Sequence, residues 1–364
     1  MEKPRLRILL LCGGQSTEHE ISLESCHSVA AAIDRERFEP IVAGITRQGT
    51  WHFYGGEEFV EEADDPAKIH LKPGAPLCYP GRTSQGAVLT VEGRAENIGF
   101  DVAFPVLHGM HGEDGTVQGL FDMFGVPYVG CDYASSANCM DKDITKILLN
   151  SAGFDTAHAL VLRRGEERMA PEYYAERLGL PLFVKPARTG SSIGISKVKS
   201  VEELESKVEE AFRYDNKVIL EEAIVGREIE CAVLEKPTGE LFVAQPGEVI
   251  PHLEFYSYEA KYLNEEGATV KAEADLDAEQ AKEVKRLAAK AFHVLGCNGM
   301  ARIDFFLANQ EEWILNEVNT IPGFTGISLY PQMMKNSGIP YDELITLLIE
   351  NALERFKNTS NALK

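Results

Sequence analysis

The segment ARIDFFLANQEEWILNEVNT, residues 301–320, carries the side chains best suited to chemistry. Two apolar runs flank the polar Asn309-Gln310-Glu311-Glu312, a pattern that predicts a β-hairpin. A turn centred there pairs Asn309 with Glu312. Counting back along the ladder, it pairs Asp304 with Glu317 and Arg302 with Asn319. Side chains alternate along a strand, so these four project from one face. Directly opposed carboxylates, with Cβ atoms about 4.5–5.5 Å apart, repel and need a neutralising charge. Asp304, Glu317 and the Asn319 amide oxygen make a hard-oxygen set for a Mg²⁺-type cation, which usually takes substrate phosphates as well. Arg302 beside it suits a developing negative charge. The same four residues also fit a solvated polar face on an edge hairpin.

A metal of this kind asks for a phosphate site. The chain has no GxxxxGK followed by Ser or Thr, so a P-loop is excluded, and Gly13-Gly14 does not extend to GxGxxG. It offers instead Lys185-Pro186 after an apolar run, then Thr189-Gly190-Ser191-Ser192-Ile193-Gly194. A Gly/Ser loop lets backbone N–H groups approach phosphate oxygens, and a lysine supplies a point charge. An ordinary turn reads the same way. Lys142, after Met140-Asp141 at a helix start, and Lys261 in FYSYEAKY (255–262) fit the same picture or are simply solvated. Glu221-Glu222 and Glu228 could accept from an adenine amine and ribose hydroxyls, or lie on an exposed face.

The elements that must hold these groups follow from composition and periodicity. At 364 residues and 44% hydrophobic, the chain can bury two or three domain cores. A net charge of −21 argues against nucleic acid and anionic membranes as partners. Any anionic ligand then needs a local cluster of cations. Seven cysteines without a CxxC pair suggest reduced, mostly buried thiols. The leading apolar run Ile8 to Cys12 is too short for a signal sequence, and no stretch is long enough to span a membrane. A soluble cytoplasmic protein is expected.

Residues 6–12 read as a buried strand, 21–33 as a helix opened by a Thr17/Glu20 capping box, and 40–46 as a second strand. A third short segment covers 49–53, and 54–97 reads as loop and hairpin insertion. Then come a strand over 101–107, a helix over 115–124 and a short strand over 126–130. This alternation predicts a doubly wound α/β unit with ligands at the carboxyl ends of its strands, where Glu18 and His108 fall. Beyond 138 a helix covers 141–152, with strands at 160–162, 181–187 and 218–221 and a helix over 201–212. After about 230 the pattern is mainly antiparallel. Two helices come next, with apolar stripes at Val284, Leu287, Ala288, Ala291, Phe292 and Leu295, and at Leu344, Ile345, Leu348, Ile349, Ala352 and Phe356.

Together these segments resemble the ATP-grasp superfamily and, within it, the D-alanine–D-alanine ligases, over essentially the whole chain. The family's blocks occur in order as GGQSTEHEIS (13–22), LHGMHGEDGTVQG (107–119), MDKDITK (140–146), FVKPARTGSSIGISKV (183–198), YSYEAKY (256–262), GMARIDFF (299–306) and NEVNTIPGFTGISLYP (316–331). The resemblance implies a mixed α/β and α+β architecture, an ATP-grasp fold with an N-terminal Rossmann-like (pre-ATP-grasp) α/β domain. That domain, residues 1–138, would bind the first D-alanine. A central subdomain (139–229) and a C-terminal subdomain (230–364) would hold ATP between them. The implied reaction joins two D-alanines through an acyl phosphate, releasing ADP and phosphate and supplying a peptidoglycan precursor. A homodimer is implied too.

By the same resemblance, Asp304, Glu317 and Asn319 hold two Mg²⁺ ions, with Mn²⁺ as a substitute. Lys261 offsets charge on the transferring phosphoryl group, and Lys142 and Lys185 hold the inner phosphates. Ser192, Glu221, Glu222, Ile224 and Glu228 complete the nucleotide set. Arg302 and the Gly323 N–H form the oxyanion hole. Glu18 meets the ammonium of the first D-alanine and His108 lies near its carboxylate. Ser328 and the Leu329 N–H receive the carboxylate of the second. Ser191 and Tyr262 hydrogen-bond with Glu18 and latch a lid that excludes water. Glu20 reads as a helix cap and Glu113 as a turn or supporting group. His111 and His19 carry no functional case. Ser257 stands where an acidic residue is common in the family.

Three rivals remain. A sibling ligase would join D-alanine to D-lactate or D-serine, but the lactate-type enzymes lack the pairing that Lys261-Tyr262 preserves. A catalytically silent nucleotide-binding protein would have lost a metal or lysine position, and none is missing. A nicotinamide oxidoreductase would rest on the N-terminal α/β pattern alone, without GxGxxG.

Overall fold

The computed structural model describes residues 4–56, 58–252 and 268–362. Its N-terminal sheet is centred on the strand Leu6–Gly13, in which Ile8 through Cys12 are completely buried. A continuous apolar run fits a parallel strand covered on both faces. Each such side chain contributes roughly 1.5–3 kcal/mol by leaving water. Phe38–Ile45 and Val102–Pro105 pair with it in parallel, and Trp51–Gly55 adds an antiparallel edge. The strand expected at 126–130 shrinks to one bridge between Ala103 and Tyr128, because Gly125 and Gly130 take positive φ and end the extended run. The insertion contains a hairpin, Cys78–Thr83 with Gly86–Val91, joined by the short strand Ile98–Gly99.

Helix His19–Ala32 follows the first strand with Glu18 at its N-cap. The predicted capping box does not form. No side chain caps this end, and Glu20 gives both carboxylate oxygens to Arg47. A charge-assisted bond to a guanidinium outweighs a reach back to the helix end.

The central sheet runs Ala159–Arg163, Lys217–Glu222, Leu182–Pro186, Ser196–Val198, all antiparallel. Helices Pro171–Leu178 and Val201–Ala211 close its core around Leu182, Val184, Leu204, Val208, Phe212 and Leu220. The C-terminal sheet begins with Asp155–Thr156 and continues through Glu312–Asn319, Met300–Ala308, Gly226–Glu235, Gly247–Pro251 and Ala268–Lys271. Thus Asp155–Thr156 belongs to the C-terminal sheet although it falls within 139–229. Likewise Gly226–Glu235 forms one unbroken ladder across the 229/230 division.

The two faces of this sheet differ. One packs on helix Ala278–Val294 through Val284, Ala288, Ala291 and Phe292. The other meets helix Tyr341–Ala362 at Leu344, Ile345, Leu348, Ile349 and Ala352, and through them the N-terminal strands at Ile8, Leu10, Val102 and Phe104. Phe356, expected on that stripe, is 37% exposed near the free end of the helix. Two further helices, Tyr133–Met140 and Leu329–Asn336, have no clear signature in the sequence because their apolar residues are few or interrupted by polar ones. All seven cysteines are free and buried. Among the described residues no helix is long and apolar enough to cross a membrane.

Candidate active site

The hairpin joins Met300–Ala308 to Glu312–Asn319, with Arg302 opposite Asn319 and Asp304 opposite Glu317, as the sequence spacing predicts. The route to that register differs from the expectation. The turn has three residues, Asn309, Gln310 and Glu311, the first two at φ 50° and 64°, so that Ala308 pairs with Glu312. Near the turn, therefore, Phe305 faces Leu315. The ladder then slips between Asp304 and Phe305, with Asn316 as the extra residue. A β-bulge adds one residue to one strand and re-aims the side chains beyond it. Here it turns Glu317 and Asn319 onto the face of Asp304 while Leu315 stays on the face of Phe305.

On that face Arg302 donates from Nε to Asp304 Oδ1 at 2.9 Å and from Nη2 to Oδ2 at 2.7 Å. The Asn319 amide donates to Asp304 Oδ2 at 3.0 Å. Burial works against the Arg302 charge, but the carboxylates of Asp304, Glu230 and Glu317 outweigh it and push the guanidinium pKa well above normal. Among the described residues no three His, Cys, Asp or Glu side chains converge closely enough to hold a cation by themselves. Two carboxylates with one amide oxygen fit Mg²⁺ only where phosphate oxygens and water complete the shell, which is how that ion is commonly bound.

Glu18, 7% exposed, stands at the end of the first strand beneath the Gly/Ser loop. The Ser191 hydroxyl donates to its Oε1. A Cβ on Gly109 would lie 2.5 Å from Glu18 Oε2, and one on Gly190 2.8 Å, so two glycines are needed for the carboxylate to fit. Ser191 and Ser192 both adopt left-handed backbone, φ 48° and 59°. Non-glycine residues are uncommon there, and such strain gathers at ligand clamps. The conformation is what turns the Ser191 hydroxyl toward Glu18.

The lysines form a second cluster. Lys142 follows Asp141, which caps helix Lys142–Ser151, and its Nζ donates to the Thr189 carbonyl at 2.7 Å. Lys185 ends the strand Leu182–Pro186 and binds Glu221 Oε1, while Lys146 lies 2.8 Å from Glu221 Oε2. Burial alone would raise the Glu221 pKa, but the charges of Lys185 and Lys146 bring it down to about 2. The Glu221 side chain, read from sequence as meeting base or ribose, is therefore occupied by two lysines. Glu222 accepts from the His158 N–H at 2.7 Å. Ile224, half buried, lies between the strands Lys217–Glu222 and Gly226–Glu235, and Glu228 pairs in register with Phe306 and Val249. Buried Lys217 holds Asp141 and Asp143 at 2.6 and 2.9 Å and thereby fixes the start of the Lys142 helix.

A third group links the N-terminal sheet to the loop after the hairpin. His108, 3% exposed, has Nδ1 3.0 Å from the Ile321 carbonyl and Nε2 3.0 Å from Ser25 Oγ. Ser25 Oγ in turn accepts the Phe324 N–H at 3.3 Å. Burial holds the imidazole pKa down to about 4, so the ring is neutral and works as a hydrogen-bonded bridge at physiological pH. Glu113, partly buried, accepts the N–H groups of Gly109 and Ile321 at 2.8 and 3.0 Å. Burial, and then the charge of Glu18, push its pKa up to about 8. Gly323 lies on the loop so anchored, where a Cβ would approach Ser328 Oγ to 3.1 Å. Ser328 accepts the Thr325 N–H at 3.1 Å and stands at the N-cap of Leu329–Asn336. A helix N-terminus suits a carboxylate.

Glu113, Lys142, Thr189, Gly190, Glu317 and Asn319 line one small cavity between these groups. Lys261, Tyr262 and Ser257 lie outside the described residues. The sequence gives little sign of Glu113, since HGEDG looks like an ordinary turn, and none of Lys146 or Lys217, whose partners come from distant strands.

Two family models match the chain, one described as D-ala D-ala ligase N-terminus over residues 7–131 and one as D-ala D-ala ligase C-terminus over 148–350. A D-alanine–D-alanine ligase A of Chromobacterium violaceum is 46% identical over 356 residues, 96% of each chain. The solved D-alanine–D-alanine ligase of Coxiella burnetii superposes with a TM-score of 0.85 at 34% identity, covering 99% of this chain and 97% of its own. The VanG D-Ala:D-Ser ligase of Enterococcus faecalis superposes at 0.83 with 38% identity, covering 96% and 100%.

Proposed function

The chain belongs to the D-alanine–D-alanine ligase family, and on that premise we propose that it joins two D-alanines at the expense of ATP. The observation that carries this reading is the cavity in which the Gly/Ser loop, the Lys142 helix and Glu317 and Asn319 of the hairpin meet. Carboxylates are poor acyl donors, so the first D-alanine is activated as an acyl phosphate, which the amine of the second then attacks.

Each group has a part in that sequence. Glu18 pairs with the ammonium of the first D-alanine, and Ser191 holds both the carboxylate and the loop above it. Lys142 and Lys185 hold inner phosphates, with Ser192 supplying loop contacts and Glu221 fixing Lys185 through its ion pair. Glu222, Ile224 and Glu228 face the nucleoside. Two Mg²⁺ ions, or Mn²⁺, held by Asp304, Glu317 and Asn319 would offset charge on the transferring phosphoryl group. Lys261 joins them on the γ-phosphate. Arg302 and the Gly323 N–H take the developing oxyanion, as fixed donors in a water-poor site. Ser328 and the Leu329 N–H receive the second carboxylate at the helix N-terminus, while His108 and Glu113 hold the loop between. Tyr262 completes the latch with Ser191 and Glu18. The three-part division 1–138, 139–229 and 230–364, a homodimeric state and a cytoplasmic location belong to the same reading.

The likeness to a D-Ala:D-Ser ligase favours D-serine as the alternative second substrate. Phosphate release with D-alanine alone, or with D-serine or D-lactate added, with products identified by mass, separates the readings. D-Alanyl-D-alanine in step with phosphate is the expected result. A mixed product would move the specificity assignment, and no ATP turnover with any of them would overturn the activity.

A further inference from the structure

Arg302 is held from two sides. Asp304 accepts from its Nε and Nη2, and Glu230 Oε2 lies 2.9 Å from the same Nε. The three side chains are 19%, 11% and 14% exposed, so the contacts are shielded from water. Glu230 reaches this place by register. It stands directly opposite Asp304 across the ladder of Gly226–Glu235 with Met300–Ala308, as Glu317 stands opposite Asp304 on the other side. Three carboxylates thus form a row over three strands. Arg302 is opposed on the Glu230 strand by Ala232, whose small side chain leaves room for the guanidinium to lean toward the row.

The three carboxylates do not have equivalent duties. Asp304 and Glu317 belong to the proposed cation-binding set, and Asp304 already accepts two hydrogen bonds from Arg302 and one from Asn319, so most of its lone pairs are taken before a cation arrives. Glu230 does not converge with them as a third ligand, since no such trio occurs among the described residues. It forms an ion pair with Arg302. Nε carries one hydrogen, directed at Asp304 Oδ1, so Glu230 Oε2 meets the guanidinium as an ion pair and not through a hydrogen bond.

We propose that Glu230 is a positioning residue for acyl transfer: it anchors Arg302 independently of Asp304, so that the guanidinium stays aimed at the oxyanion while Asp304 serves cations. This rests on the ligase reading above. A guanidinium tied only to a cation ligand would be pulled between two roles. A second anchor removes the conflict, and misplacing a transition-state donor costs rate more than ground-state binding.

A double-mutant cycle tests it. Glu230→Gln keeps the shape and removes the charge, and Glu230→Ala removes the anchor. In the wild-type background each is expected to lower kcat by about 10- to 100-fold, with KM for ATP changed less than about threefold. In an Arg302→Ala background neither is expected to lower it further, because the effect passes through the arginine. Calorimetry on the same proteins with ADP and a phosphinate mimic of the tetrahedral intermediate gives a readout apart from turnover. Glu230→Gln is expected to weaken the mimic about as much as kcat while leaving ADP binding in place. Absence of wild-type turnover with D-alanine would count against the proposed activity, whereas the mimic's affinity cycle would still report on the anchor. Additive losses in the Arg302→Ala background would overturn the proposal. So would a tenfold shift in Mg²⁺ requirement with kcat recovered at high Mg²⁺, or a fall in Tm with kcat and mimic affinity unchanged.

Discussion

Two ion clusters of the site are built with opposite signs in the majority. On the nucleotide side Lys146 and Lys185 share the one carboxylate of Glu221. On the hairpin and the strand beside it, Asp304 and Glu230 share the one guanidinium of Arg302, with Glu317 opposite Asp304 across the ladder. Charges held out of water are stable only when paired, and a cluster rich in one sign favours ligands of the other. Under the proposed activity a triphosphate would meet the first and divalent cations the second. In a chain of net charge −21, the lysine cluster is also what makes a polyanion welcome at this one place. This contrast in sign fits the metal–nucleotide substrate of the proposed activity.

The contrast can be broken from either side. Glu317→Gln removes one negative charge from the hairpin face, and turnover at limiting Mg²⁺ is expected to fall by about 100-fold or more. Steady-state rates over a Mg²⁺ series would check this, and unchanged activity would remove Glu317 from the metal set. Glu221→Gln acts on the other cluster. It leaves Lys146 and Lys185 buried side by side, and the expected cost is about 3 kcal/mol of stability, with a raised KM for ATP. Chemical denaturation and ATP titration give the two numbers, and a stable variant with normal KM would show that the lysines do not need their shared carboxylate.

Two glutamates of the same site sharpen the comparison through pH. Glu221, held down to about 2, binds fewer protons folded than unfolded between pH 4.5 and 2. Its stabilising contribution is full above 4.5 and is lost as pH falls through that window. Glu113, pushed up to about 8, binds more protons folded between pH 4.5 and 8, so its contribution is full below 4.5 and is lost as pH rises toward 8. Denaturation midpoints of Glu113→Gln against the parent are expected to differ in pH slope between 5 and 8, the variant being flatter. Parallel slopes would mean that Glu113 titrates normally. The smallest effect is expected on the surface, where Glu20→Ala breaks a partly exposed pair with Arg47. It should cost at most about 1 kcal/mol by denaturation and leave KM for D-alanine alone. A changed KM would make Glu20 a ligand after all.

How much of this was legible depended on how local the determinants are. The Arg302, Asp304, Glu317 and Asn319 face could be read because a hairpin pairs residues close in sequence. Even so the turn and the bulge at Asn316 each departed from the simple count, and the two departures cancelled at the site. The Gly/Ser loop and the Lys142 helix start were visible for the same reason. Glu230 was not, because its neighbours are set by pairing a strand near 230 with one near 304, a register that no local pattern encodes. Lys146 and Lys217 look like solvated lysines until distant strands bring Glu221, and a helix start brings Asp141 and Asp143. The capping box failed because Arg47, on another loop, claimed Glu20.

The most direct test of the two-cluster account is ADP binding by calorimetry, with and without Mg²⁺, in the parent, Glu317→Gln and Lys185→Met. The parent is expected to bind ADP at least about tenfold more tightly with Mg²⁺. Glu317→Gln should lose that gain but keep the metal-independent affinity, while Lys185→Met should bind weakly under both conditions. ADP affinity in the parent that ignores Mg²⁺ would contradict the account.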